Sequence, residues 1–130
     1  MPLNFHPAPG LILICDFTTG FQPPEMVKKR PVVVISPRRR NGQLVTVVPL
    51  SSVEPIPSEP WHHKLVDGTY PLARSPMWAK CDMVQTVGTF RLDRVMTKDI
   101  NGKRAYMTYQ MNAVELAAVL TCVKAALGLA

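Results

Sequence analysis

The sequence has 130 residues, enough for one domain with its own hydrophobic core, and 47% of them are hydrophobic, as in ordinary globular proteins. Its 15 lysine and arginine residues against 9 aspartate and glutamate residues leave a net charge of +6, which is compatible with a polyanionic ligand. The 13 prolines, together with the lack of a long helix-period segment before the C-terminus, exclude an all-helical bundle.

Signals for export, membrane insertion and disulfide formation are not found in the sequence. The N-terminus has no basic segment followed by an apolar one, and no charge-free apolar run reaches about 20 residues, so neither a secretory signal nor a membrane span is expected. The three cysteines, Cys15, Cys81 and Cys122, are odd in number and widely spaced, which favours buried free thiols in a reducing cytoplasm. The sequence therefore predicts a cytoplasmic protein.

Three strands are predicted in the first half of the chain, after a proline-rich lead-in over residues 1–9. They are short apolar segments, rich in β-branched residues, at Gly10–Phe17, Pro31–Ser36 and Gln43–Leu50. The second strand is apolar without interruption, so we expect it to be buried on both faces. Asn41-Gly42 predicts a hairpin turn into the third strand, and the polar segment 18–29 is predicted as a loop.

The second half contains shorter and less regular strand signals. Strands are predicted at Trp61–Val66, at Met77–Val87 with an interruption near Lys80–Asp82, and at Lys103–Tyr109, with an element of undetermined type at Arg91–Val95. Asn101-Gly102 indicates a second hairpin. The adjacent His62 and His63 are expected to point to opposite faces of their strand, so they are not expected to hold one metal ion together.

The C-terminal segment 112–127 is the one predicted helix. Asn112 is the expected N-cap, Glu115 completes a capping-box pattern, and Gly128 is the expected stop. The apolar stripe expected to face the core consists of Leu116, Val119, Leu120, Val123 and Leu127. The predicted fold class is mainly β (α+β): a single domain over residues 1–130, built as a small antiparallel barrel or twisted sheet with a C-terminal α-helix.

Common nucleotide, metal and hydrolase motifs are absent, so neither a cofactor nor a metal is expected. The cations are more informative, because two clusters flank the second strand. They are Lys28, Lys29 and Arg30 before it and Arg38, Arg39 and Arg40 after it. At about 3.3 Å per residue the clusters would lie roughly 20 Å apart, which is the length of a few nucleotides. The alternative interpretation is a solvated loop and a solvated turn.

Four motifs, in the same order, resemble those of the MazF/PemK/Kid family of type II toxins. The family has a glycine-opened strand with a late aspartate, an Arg-Pro-valine strand, a Val-Val-Pro strand ending in hydroxyl residues, and a Cys-Asp segment followed by Arg-Leu. The matching segments are Gly10–Asp16, Lys29–Pro37, Val47–Ser52, Lys80–Val87 and Arg91-Leu92. Together with the C-terminal helix they cover most of the chain.

The resemblance implies an SH3-like barrel, usually a homodimer, that acts as a metal-independent endoribonuclease on single-stranded RNA, including mRNA. In that chemistry a ribose 2′-OH attacks the adjacent phosphate. The resemblance also implies an acidic antitoxin protein that covers the active groove. On these grounds the expected catalytic residues are Arg30, Ser51, Asp82 and Lys80, and the expected RNA-binding residues are Lys28, Lys29, Arg38, Arg39, Arg40, Ser52 and Gln85.

Arg30 would hold the phosphate, Ser51 would donate to it, and Asp82 is the candidate base with Lys80 as its cationic neighbour. Structural alternatives are a surface charge for Arg30, a loop cap for Ser51 and an ion pair between Asp82 and Lys80. The family's Gly-x-Glu-Gln loop is replaced by Gly20–Met26, with Phe21 where some members carry a histidine. His62 or His63 could replace a lost acid or base, and residues 96–109 form a longer link than in the family.

Alternative functions keep the same fold. The chain could be a non-catalytic RNA-binding module, or a toxin that poisons gyrase, as a related branch of toxins does. A third alternative is a degenerate remnant that is held by its partner protein.

Overall fold

The computed structural model describes residues 3–38 and 42–129. Over these residues it contains ten strands and one helix, with two short 3-10 turns at Cys81–Met83 and Thr89–Arg91. The strands are β1 (Leu11–Asp16), β2 (Lys29–Val34), β3 (Leu44–Ser51), β4 (His62–Lys64), β5 (Trp78–Lys80), β6 (Gln85–Gly88), β7 (Leu92–Asp93), β8 (Val95–Lys98), β9 (Arg104–Met107) and β10 (Tyr109–Gln110), and the helix is α1 (Ala113–Ala126).

Eight of these strands form one antiparallel sheet with β2 at its centre, between β1 and β3. The second edge of β1 pairs with β10 and β7, whereas the second edge of β3 pairs with β6 and β5, and β5 pairs in turn with β4. The sheet curls around on itself but is not closed, because β6 and β7 are joined by the turn Thr89–Arg91 rather than by a ladder. The predicted mainly β class with a twisted sheet and a C-terminal helix is confirmed.

Alternate residues of the three central strands enter two separate apolar clusters, as the period of two in a strand requires. The inner cluster lies inside the curl and consists of Leu13, Cys15, Phe17, Val32, Val34, Val45, Val47, Val87 and Leu92. The outer cluster lies beneath α1 and includes Ile12, Val33, Val48, Leu50, Cys81, Val119 and Val123. The prediction that the second strand is buried on both faces is therefore confirmed.

The helix begins and ends where the sequence predicts. Asn112 Oδ1 accepts a hydrogen bond of 2.8 Å from the Glu115 amide, which satisfies one of the free donors of the first turn. Gly128 has a φ of +71°, and the Leu129 amide donates to the Lys124 carbonyl at 2.8 Å, as in a glycine-terminated helix.

The predicted core stripe of the helix was wrong at two positions. Leu120 is 37% exposed and Leu127 is 59% exposed, and the buried row is instead Glu115, Val119 and Val123. The capping-box role of Glu115 was also wrong, because its carboxylate lies under the helix and accepts a hydrogen bond from the Val66 amide. The physical reason is that α1 packs against β4 and the Cys81–Met83 turn through one narrow row spaced at i and i+4.

The later strands are shorter than predicted. The segment Met77–Val87 is divided into β5, a 3-10 turn and β6, and Lys103–Tyr109 is divided into β9 and β10. The longer link 96–109 contains a separate two-stranded sheet, β8 with β9, whose turn uses Gly102 at a φ of +77°. Asn41 of the other predicted hairpin lies outside the described residues. In the described part of the chain, no helix is long and apolar enough to cross a membrane.

Candidate functional site

Most of the predicted site residues lie towards one end of the sheet. Because the strands are antiparallel, the ends of β1 and β3 and the starts of β2 and β6 lie at the same end. We call this the site end; it comprises Asp16, Arg30, Ser51 and Gln85 with the adjoining turn Cys81–Met83. The register Val32↔Pro49, extended by two residues, sets Arg30 opposite Ser51.

Arg30 lies on the same side of the sheet as the inner cluster, since it pairs with Cys15 across β1. Its Nε atom is buried and has no hydrogen-bond partner among the described residues. A buried donor without a partner costs about 1–3 kcal/mol of stability, so such donors are rare in folded proteins. A ligand with anionic oxygens would satisfy it, because the guanidinium group matches phosphate geometry.

Ser51 is buried at the end of β3, and its hydroxyl oxygen accepts a hydrogen bond of 3.1 Å from the Val53 amide. This contact is the loop-capping role considered as its alternative. The same hydroxyl still has its own proton to donate, because a hydroxyl carries one donor and two acceptor lone pairs. Ser52 is exposed beside it.

Lys80 and Asp82 stand on either side of Cys81, where β5 becomes the 3-10 turn. Among the described residues no ion pair joins them, so the alternative of a Lys80–Asp82 ion pair was wrong. The Asp82 side chain is 47% exposed, and its Oδ1 lies 3.9 Å from His62 Nε2. His62 is the cross-strand neighbour of Lys80, which brings all three residues to one place.

The adjacent histidines diverge as predicted. His62 accepts a hydrogen bond of 3.1 Å at Nδ1 from the Glu59 amide and presents Nε2 to Asp82. His63 instead contacts Glu115 beneath the helix, with 3.0 Å between Nε2 and Oε1. Glu115 accepts a second bond of 2.8 Å from the Val66 amide. Only one of the two histidines therefore faces the site end.

A cleft of about 420 Å³ opens at the site end, between the loop residues 24–26 and the segment 82–85. Asp82 and Gln85 both line it, so two predicted site residues share one space. The opposite wall is part of the loop in which this chain departs from the family pattern. That loop is therefore placed to contact whatever occupies the cleft.

The predicted cations do not form one continuous track. Lys28 and Lys29 lie at the site end, but Lys29 faces a second cleft of about 400 Å³ on the other side of the sheet, together with Asp16 and Arg94. Arg38 is exposed at the far end of β2, beyond Val34. Arg39 and Arg40 lie outside the described residues.

Arg91 is a contributor to the site end that the sequence arguments did not single out. Its Nη1 donates to the carbonyl oxygens of Asp16 at 3.1 Å and Thr19 at 2.9 Å, and its guanidinium lies 4.6 Å from the centre of the Phe21 ring. It therefore holds the loop that leads to the cleft. The Arg91-Leu92 motif was the sequence signal that could have identified this residue.

The electrostatics of Asp16 are set by the same loop. Hydrogen bonds from the Thr18 hydroxyl and amide, with weaker contributions from Lys29 and Arg91, lower the pKa of the Asp16 carboxyl. This carboxylate is thus held in its charged form and orders the first residues of the loop. Among the described residues, no group of three or more histidine, cysteine, aspartate or glutamate side chains could hold a metal ion.

Comparison with known proteins identifies a family over nearly the whole chain. Residues 8–123 match the family described as PemK-like, MazF-like toxin of type II toxin-antitoxin system. A protein of Escherichia coli (strain K12) named YifN is 34% identical over 124 residues, covering 75% of this chain and 78% of that protein. A protein of Haemophilus influenzae is 33% identical over 113 residues with the same two coverages, 75% and 78%.

Solved structures share the fold. MazF (Form-I) from Deinococcus radiodurans gives a TM-score of 0.68 at 20% identity, covering 97% of this chain and 100% of that one. An endoribonuclease in complex with its cognate antitoxin from a mycobacterial species gives a TM-score of 0.65 at 20% identity, covering 95% and 97%. These similarities extend over the strands and turns that build the site end.

Proposed function

Because the chain belongs to the PemK-like, MazF-like family of type II toxin-antitoxin toxins, we propose that it is a metal-independent endoribonuclease acting on single-stranded RNA. The observation that carries the proposal is Arg30, whose buried Nε has no partner among the described residues at the end of the sheet where Asp82 and Gln85 line a cleft. A phosphate group in that position would pair the orphaned donor. The MazF-type structures that share the fold include proteins titled endoribonuclease.

The proposed reaction is an internal transfer at phosphorus that needs three protein functions. Asp82 takes the proton of the ribose 2′-OH, whose oxygen forms a new bond to the adjacent phosphorus. Arg30 and the Ser51 hydroxyl stabilise the charge that builds on the phosphate oxygens. Lys80 supplies a proton to the departing 5′-oxygen. As the new bond forms, the bond from phosphorus to the 5′-oxygen breaks. The products are a 2′,3′-cyclic phosphate and a 5′-OH, and no water is consumed.

The RNA would lie along the site end, with Gln85 in the cleft and Lys28 and Ser52 along its approach. Lys29 faces the second cleft, so it would contact only RNA that passes to that side of the sheet. Arg38 is exposed beyond the far end of β2, so it would reach only an RNA several nucleotides long. Phosphate contacts by these cations release counterions, so the affinity for RNA should fall steeply as salt is added.

Its partner would be an acidic antitoxin protein that competes with RNA for the site end. The net charge of +6 is complementary to such a partner, and one structural neighbour is titled as a complex with its cognate antitoxin. We also propose a homodimer, in which pairing with a second copy protects strand edges. A cytoplasmic location accords with the free thiols of Cys15, Cys81 and Cys122.

The test is incubation of the purified protein with single-stranded RNA in EDTA. We expect cleavage by the native chain and a loss of about 100-fold or more in Arg30→Ala, the size of effect seen when one donor to a developing charge is removed. Arg38→Ala is the matched control, because it removes the same charge at the far end of β2, and it should change the rate only a few-fold. A folded native protein that cleaves no RNA and arrests no growth on expression would overturn the proposal.

A second candidate is RNA binding without cleavage. The observation that favours it is Phe21, which packs edge-on against Phe17 at 5.4 Å in the loop position where some family members carry a histidine. At that position the loop therefore carries an apolar ring rather than a titratable group. RNA that migrates more slowly in a gel with the protein but stays intact would favour this candidate. Inhibition of DNA supercoiling without any effect on RNA would instead favour a gyrase poison.

A further inference from the structure

The two adjacent histidines of β4, His62 and His63, lie on opposite sides of the strand. A role has so far been assigned only to His63. His63 contacts the buried carboxylate of Glu115, which also accepts the Val66 amide, so its role is to join β4 to the helix. His62 lies on the other side of the strand, is 11% exposed, and faces the half-exposed carboxylate of Asp82.

The hydrogen bond at Nδ1 decides which nitrogen of His62 carries a proton. The Glu59 amide donates to Nδ1, so Nδ1 is an acceptor and the neutral ring holds its proton on Nε2. That N–H is 3.9 Å from Asp82 Oδ1, and the ring is fixed further by the bond from the His62 amide to the Glu59 carbonyl at 2.9 Å. His62 therefore holds a donor nitrogen 3.9 Å from the carboxylate of the candidate base.

We propose that His62 is a positioning residue for Asp82, an inference that rests on the proposed ribonuclease function. The charged or titratable groups around its ring are Asp82 on the turn, Lys80 on β5 and Glu59 on the preceding loop. With RNA bound, the Nε2–H closes by about 1 Å to donate to one carboxylate oxygen, as catalytic hydrogen bonds commonly do on substrate binding. The second oxygen of Asp82 is then aimed at the ribose and receives the 2′-OH proton.

The pair of variants His62→Asn and His62→Gln separates this role from a structural one. Asparagine places an amide oxygen near the position of Nδ1, so it can still accept from the Glu59 amide, but it does not reach Asp82. Glutamine places an amide N–H near the position of Nε2 and can still donate to the carboxylate. His63→Asn is the matched control, because it changes the adjacent residue on the opposite side of the strand.

We expect His62→Asn to lower kcat about 10–100-fold, the equivalent of one hydrogen bond to a charged group, with KM changed less than about threefold. His62→Gln should recover much of that loss. The double variant with Asp82→Asn should be no slower than Asp82→Asn alone, since a residue that acts through another has no effect once that one is gone. His63→Asn should lower the melting temperature and leave kcat unchanged.

Three outcomes would overturn the inference, and they are distinguishable from failure of the ribonuclease proposal. If the native chain cleaves RNA and Arg30→Ala does not, but His62→Asn cleaves at the native rate, His62 has no part in the reaction. A double variant whose losses multiply would show that His62 does not act through Asp82. If His62→Gln does not restore the kcat that His62→Asn loses, the N–H donor to Asp82 is not the reason for the loss. No cleavage by the native chain overturns both proposals.

Discussion

The buried carboxylate of Glu115 beneath the helix is paired, whereas the buried Nε atom of Arg30 at the site end has no partner among the described residues. Glu115 is 4% exposed and accepts two hydrogen bonds, from Val66 and His63, so its burial is compensated. Arg30 Nε is buried with no partner in the part of the chain that the structure describes. The comparison teaches that burial alone does not mark a functional group here. A buried donor without a partner is the stronger reason to single out a residue, because a bound anion would satisfy it.

The largest effect on stability is expected under the helix. Glu115→Ala leaves the Val66 amide and His63 without their acceptor, which should lower the free energy of unfolding by about 3 kcal/mol. Chemical denaturation measures it. Glu115→Gln should cost less, because its amide oxygen can still accept one of the two bonds. If Glu115→Ala is as stable as the native chain, the two hydrogen bonds of Glu115 do not stabilise the packing of the helix.

The next effect is expected at Arg91, which holds the loop of the site end. Arg91→Ala removes two hydrogen bonds to backbone carbonyls and a contact with the Phe21 ring, and should cost about 2 kcal/mol. Hydrogen exchange should increase locally, over the loop residues 17–24. The control is Arg94→Ala, whose guanidinium lies 5.1 Å from the Tyr106 ring on the exposed hairpin and should cost less than about 0.5 kcal/mol.

A smaller effect should appear at alkaline pH, and it tests each apolar cluster separately. Burial raises the pKa of the thiols of Cys15, in the inner cluster, and Cys81, in the outer cluster, from 9.0 to about 12. The unfolded chain ionises these thiols first, so their contribution to stability is complete below pH 9.0 and is lost as the pH rises towards about 12.

The free energy of unfolding should therefore fall between about pH 8 and about pH 10.5. The slope of this fall should be smaller in Cys15→Ala and in Cys81→Ala than in the native chain. Comparing slopes removes the contribution of lysines and tyrosines, which titrate in all three proteins. Equal slopes in the three proteins would contradict burial of the thiols.

The smallest change in stability is expected at Arg30, although the same residue should have the largest effect on RNA cleavage. Arg30→Met keeps the length of the side chain and removes the buried donor, so the free energy of unfolding should change by less than about 0.5 kcal/mol or rise. Urea denaturation measures it beside Glu115→Ala. A loss of about 2 kcal/mol or more would mean that Arg30 is structural, like Glu115.

Local signals predicted local structure well. The uninterrupted valines of β2 predicted a strand buried on both sides, and Asn112 predicted the helix start, since a cap depends on residues only three positions away. The role of Glu115 could not be predicted, because its partners His63 and Val66 lie about fifty residues earlier in the chain and meet it only through packing. The predicted apolar stripe of the helix was wrong at Leu120 and Leu127, because the helix contacts the sheet through one narrow row of residues.

The site shows the same limit. Alternation along β4 predicted that His62 and His63 would diverge, but not which of them would face Asp82, because that depends on how β4 pairs with β5. The motifs brought Arg30, Ser51 and Asp82 together as candidates, and the antiparallel order of β2, β3 and β6 accounts for their common end. Arg38 is separated from that end by the length of β2, which the sequence already predicted.

The central claim is that the residues of the site end cleave RNA by internal attack of the ribose 2′-OH. Analysis of the product ends tests this claim most directly. A single-stranded RNA incubated with the native chain in EDTA should yield a 2′,3′-cyclic phosphate on one fragment and a 5′-OH on the other, seen by mass spectrometry. Fragments that carry a 3′-OH and a 5′-phosphate would contradict the account, because water and not the ribose would then be the nucleophile, and so would RNA that stays intact.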